Sequence, residues 1–140
     1  MMNSTHMFIG MFIIQYIFMS YVMTNNIQQI THSNGKIYMS TIMGLFMVIL
    51  GILLNHKINK QQLILFTGCL FLFIYLYKIQ FGIDEKNYLQ EMIEHHSMAI
   101  LTSNQIINKT KNSVVSNFAT KILTAQEKEI EDMRYILKSI

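Results

Sequence analysis

Three long apolar runs followed by a polar, helically patterned tail organise the chain. The first run covers residues 7–23 and is broken only by Gln15, Tyr16, Ser20 and Tyr21. At about 1.5 Å per residue it reaches roughly 25 Å, the length of a short membrane span. The second run, residues 37–54, has no charge. The third, residues 63–77, is the most apolar and can extend to Phe81, with Lys78 reaching toward lipid headgroups. Tyrosines 16, 21, 38, 75 and 77 include several near the ends of these runs, as in an aromatic belt. A cleaved signal peptide competes for the first run, but that run lacks a positive leading segment and a clear cleavage site.

The tail predicts two amphipathic helices. Asp84 suits an N-cap, and a helix follows from about residue 85 to 107. Its stripe is Leu89, Met92, His96, Ala99/Ile100, Ser103 and Ile107. Residues 108–113 form a polar turn in which Ser113 can cap a second helix of about residues 114–139. The second stripe is Val115, Phe118/Ala119, Ile122, Gln126, Glu129/Ile130, Met133, Ile136/Leu137 and Ile140. Both follow three-four spacing. Two helices alone bury little apolar surface, so packing on a second copy or on the apolar part is expected.

Charge sharpens this division. Residues 1–81 carry four lysines and no acid, whereas all eight acids lie at or beyond Asp84. The second linker, residues 55–62, holds Lys57 and Lys60. The positive-inside rule therefore predicts a cytoplasmic N-terminus and an extracytoplasmic tail. The formal net charge is +3, but no basic cluster exists, so nucleic acid is not an expected partner. A single cysteine, Cys69, excludes an internal disulfide and a Cys-x-x-Cys pair.

Candidate chemistry concentrates in the tail. Met92 precedes His95 and His96 by one helical turn, and Gln126, Glu129 and Met133 share a face of the next helix. A turn at residues 108–113 brings these faces level. Imidazole takes copper or zinc, and thioether selects Cu(I). Glu129 or Gln126 can orient an imidazole through its other nitrogen. A packed, purely structural histidine is the competing reading. In the apolar runs, Met7, Met11, Met19 and Met23, with Gln15 filling the gap, and then Met39, Met43 and Met47, recur at four-residue steps. Methionine is a flexible apolar filler as well as a soft ligand. Nucleotide-binding, zinc-protease and serine-hydrolase motifs are missing, so no enzyme is expected and no catalytic residue is named.

The segment Met92-Ile93-Glu94-His95-His96-Ser97-Met98-Ala99-Ile100, followed by Gln126-x-x-Glu129-Ile130-x-x-Met133, resembles the domain of unknown function 305 family. The resemblance implies a ferritin-like helical bundle and copper binding, with His95, His96, Met92 and Met133 on the matching positions. Residues 38–47 are similar to the second span of a membrane-bound branch of that family, and Met19-x-x-x-Met23 to its first. Two departures stand out. The family's proline before His-His is Glu94 here, and Phe46 and Gly51 fall where relatives tend to carry proline and an acid.

The expectation is an all-α protein: a transmembrane region, residues 1–81 with spans at about 7–23, 37–54 and 63–81, then a helical hairpin, residues 82–140. It is expected in the lipid bilayer, as a homo-oligomer, binding or buffering copper ion through Met92, His95, His96, Glu129 and Met133. One rival is a methionine-lined channel similar to the trimeric copper importers, although Gly68 has Leu72, not glycine, at i+4. A second rival is a membrane-anchored interaction module without metal.

Overall fold

The computed structural model describes residues 3–55 and 58–140, and every regular element among them is helical. We label these α1 (Ser4–Met23), α2 (Asn34–Leu53), α3 (Lys60–Lys78), α4 (Glu85–Lys109) and α5 (Ser113–Leu137). Helices α1, α2 and α3 are each long and apolar enough to cross a membrane. Lys57, one of the two lysines behind the expected orientation, lies outside the described residues.

The chain divides into two compact units. The first joins residues 1–19 to residues 34–83 and holds most of α1 with all of α2 and α3. Its core is Ile42, Leu45 and Leu70, with Phe8, Ile49, Phe66 and Phe73 packed against it. Gly44 sets how closely α1 and α2 approach. A Cβ placed there would lie 2.8 Å from the Phe8 ring and 3.2 Å from the Phe8 carbonyl oxygen. The ring can swing away, but the backbone carbonyl moves only with α1. Inside α1, residues Ile14–Met19 widen into a π-helical turn. Tyr16, in that turn, stacks on Phe12 at 5.7 Å and carries the Lys36 ammonium 5.0 Å above its ring. The wider turn shifts the rotational phase of Met19 and Met23 relative to Met7 and Met11.

Helix α3 stops at Lys78, so its expected continuation to Phe81 does not occur. The Phe81 N–H donates to Leu76 O, and the Gln80 N–H donates to Tyr77 O, both at 3.0 Å. This pair of bonds is a Schellman motif, with Gln80 at the left-handed position (φ 55°). Gly82 follows with φ 68°. Tyr38 from α2 secures the turn by donating its hydroxyl to Phe81 O at 3.0 Å.

The second unit joins residues 20–33 to residues 84–140. Asp84 caps α4 as expected, accepting from the Asn87 N–H and from the Asn87 side-chain amide, each at 2.7 Å. Those two donors hold its carboxyl below the ordinary value of 3.8. At α5 the expected cap is displaced by one residue. Asn112, not Ser113, accepts from the Val114 and Val115 N–H groups. Ile93, Ile100, Ile130 and Met133 form the seam between α4 and α5, with Leu89, Met92 and Leu137 against it. Val115, Phe118, Ile136 and Ile140, expected on the inner stripe, are instead exposed. Ile140 lies beyond the end of α5, the others lie beside its inner row, and Ala119, Ile130 and Met133 take the inner positions.

Two outcomes follow for this fold. Gly44→Ala should destabilise α1–α2 packing by about 1–3 kcal/mol, while Gly68→Ala, where an added Cβ meets nothing within 4 Å, should not. Thermal melts of the two variants in detergent distinguish these. The Asp84 carboxyl is lowered in the native state, so its contribution is complete above pH 3.8 and declines as pH falls through the lower native value. Asp84→Asn should flatten that acid limb of the pH–stability curve.

Candidate functional site

Helix α4 presents three faces, and they do different things. Its apolar face, through Ile93 and Ile100, meets α5. Both neighbours in the His95–His96 pair follow this seam, but adjacent helical residues diverge by about 100°, which separates their roles. His95 is exposed. His96 turns toward α5, with 17% of its side chain exposed, and spans the gap between the helices. The two rings stand 6.5 Å apart, near edge-on.

Both nitrogens of His96 are engaged. Nδ1 lies 2.7 Å from the Met92 carbonyl oxygen. A carbonyl only accepts, so Nδ1 carries a proton and donates. Nε2 lies 2.7 Å from Glu129 Oε2. This second contact ties α4 to α5 through a single side-chain pair. Glu129 is half exposed, which places this pair among surface ion pairs contributing at most about 1 kcal/mol.

Met133 is buried in the α4–α5 seam, and Met92 packs against the same cluster. Thus both thioethers sit in the apolar layer that adjoins the His96–Glu129 crossing. Among the described residues, no three His, Cys, Asp or Glu side chains converge to hold a metal. A closed zinc site of those ligands would need such a group.

The third face of α4 is polar, and sequence reasoning missed its purpose. Gln90, Glu94 and Ser97 recur at three-four spacing and receive the segment Ser20–Ser33. The Glu94 carboxylate accepts from Ser20 Oγ and, at 3.0 Å, from the Thr31 N–H. Thr31 Oγ1 donates to Gln90 O at 2.6 Å. Ser97 is fully buried; it donates to Gln29 Oε1 at 2.5 Å and accepts from the Asn25 N–H at 2.8 Å. From α5, Arg134 donates to Gln28 O at 3.2 Å. Glu94 therefore serves this connection rather than His96. The available signal was Ser97, a small polar residue on the buried stripe between Ile93 and Ile100, where a hydroxyl demands partners.

These features define an all-helical protein with three apolar helices and a polar helix pair bearing a His–Glu crossing. Residues 78–137, from the end of α3 to the end of α5, match the domain of unknown function DUF305. Over 134 residues the chain is 35% identical to "Uncharacterized protein L153" of Acanthamoeba polyphaga mimivirus, covering 94% of the chain and 88% of that relative. The chain belongs to the family of that viral protein and carries a DUF305 domain. No solved structure matches it.

Removing the carboxylate at Glu94 tests the polar face. Glu94→Ala should free the connection at a cost of about 2 kcal/mol, the range for hydrogen bonds to a charged group. Native-state hydrogen exchange should then show the Thr31 amide exchanging roughly 30-fold faster, with the Ile100 and Ile130 amides little changed.

Proposed function

We propose that the protein is an integral membrane protein that binds or buffers a soft transition metal, copper first, in a ferritin-like helical hairpin formed by α4 and α5. The observation that carries this reading is the His96–Glu129 crossing beside Met92 and Met133. The His96 Nδ1 bond to a backbone carbonyl fixes the ring and directs Nε2 across to α5, the orientation that metal-bound histidines adopt. One imidazole and two thioethers form a donor set that suits Cu(I) and not the harder divalent ions. Glu129 is the carboxylate nearest the ligating nitrogen, and His95 is the exposed entry residue. The hairpin lies outside the bilayer in this reading, on the extracytoplasmic side. Copper, when bound, would be held or passed on; no covalent chemistry is assigned to it.

Titration of full-length protein in detergent with Cu(I), under a competing chelator, tests this. Wild type should bind, and His96→Ala and the double variant Met92→Leu/Met133→Leu should each lose at least about tenfold in affinity, the range for removing one member of such a site. Met43→Leu should bind like wild type. Equal binding by all four proteins rejects the site; loss only with Met43→Leu moves it to the α2 methionines and to a channel.

A second reading has its own support. A histidine with both nitrogens satisfied has a sufficient structural role, and α5 carries exposed Val114, Phe118 and Tyr135. These favour a membrane-anchored interaction module.

A further inference from the structure

The outward face of α5 is patterned along its whole length. Val114, Phe118, Lys121, Ala125, Lys128, Asp132 and Ile136 follow alternating steps of four and three, ending in a step of four, and all are exposed. That spacing is a straight seam along a helix, as in a coiled coil. It continues over about 33 Å. Val114, Phe118 and Ile136 are 75%, 65% and 43% exposed, and Tyr135 beside Ile136 is 77% exposed. Apolar side chains therefore occupy both ends of a seam whose middle is charged, with alanine at its centre.

Ala125 is the midpoint of Ser113–Leu137. An antiparallel second helix centred there pairs each position with its mirror position. Val114 meets Ile136, Val115 meets Tyr135, Phe118 meets Asp132, Lys121 meets Glu129, and Ala125 meets Ala125. The small alanine at the crossing permits close approach of the two backbones. Every contact but the one between the two Ala125 residues, which lies on the axis, occurs twice, as a two-fold interface requires.

Charge selects this orientation over the alternative. On α5 the half before Ala125 carries Lys121 alone, whereas the half after it carries Glu127, Glu129, Glu131 and Asp132 with Lys128 and Arg134, a formal +1 against −2. Antiparallel copies place the +1 half of one helix on the −2 half of the other, with Lys121 opposite Glu129. Parallel copies would set Lys121 on Lys121 and Asp132 on Asp132. A carboxylate has two oxygens, so Glu129 can keep His96 on Oε2 and accept Lys121 of the second copy on the other.

We infer that the outward face of α5 is the docking surface for a second copy of this chain, antiparallel about Ala125. One helix pair is a small contact by the standard of stable complexes, and shared anchoring in one membrane raises the effective concentration. This inference does not depend on metal binding.

Cysteine crosslinking of the full chain in native membranes tests it, in a Cys69→Ser background with diamide as oxidant. Ala125→Cys should give a covalent dimer, and so should Val114→Cys mixed with Ile136→Cys. Val114→Cys alone should not. Lys121→Glu, which sets like charges against each other at both mirror positions, should reduce the Ala125→Cys dimer roughly tenfold. These sites are exposed, so circular dichroism should report unchanged helix content. Self-crosslinking of Val114→Cys would mean a parallel pair and overturn the assignment. Absence of an Ala125→Cys dimer would overturn it as well. Monomeric protein whose Val114→Cys is shielded from aqueous maleimide would give the face to the lipid surface instead.

Discussion

The apolar seam between α4 and α5 fixes everything else in the second unit. Ile93 and Ile100 on one helix and Ile130 and Met133 on the other exclude water along a single line. Once that line is set, the helical period determines where each remaining side chain points. His96 comes level with Glu129, and Glu94 and Ser97 are carried round to the segment Ser20–Ser33. A shift of α4 by one residue would break the His96–Glu129 pair and both polar anchors together, and a shift of α5 would break the pair and the Arg134 contact to Gln28. The seam is thus a source of register as much as of stability.

The first unit obeys a different constraint. Its helices are apolar on nearly all sides, so hydrophobicity does not say which faces touch. Shape decides instead. Gly44 leaves room for Phe8, and the Tyr38 hydroxyl closes the turn that ends α3. Exposed side chains such as Phe18, Phe71 and Tyr75 leave an apolar exterior of the kind that lipid covers.

The parts of this architecture that were readable from sequence were those with a one-dimensional signature. Asp84 before a three-four stripe announced α4, and the inner positions Ile100, Ile130 and Met133 fell on the expected rows. Other features depended on contacts between distant residues. Asn112 displaced Ser113 as a cap because it can reach two N–H groups from one position earlier. Helix α3 ended early because Gln80, a residue with no turn preference strong enough to notice, adopts a left-handed conformation. Glu94 stands beside the histidines where the family has proline, but its partners Ser20 and Thr31 lie 74 and 63 residues away. Of the candidate site, the proximity of His96 to Glu129 was legible from the loop length, whereas His95, expected to meet the same face, is exposed because adjacent helical residues diverge by about 100°.

The two short bonds to His96 have a thermodynamic side. Its imidazole is already solvated by the protein: a carbonyl at one nitrogen and a carboxylate at the other, each at 2.7 Å. Any electrophile that takes Nε2 has to evict Glu129 first. Its apparent affinity is then a difference between the new bond and the old one, and the displaced carboxylate returns to water and loosens the tie from α4 to α5. Occupancy at this nitrogen and rigidity between the two helices are, by this geometry, opposed.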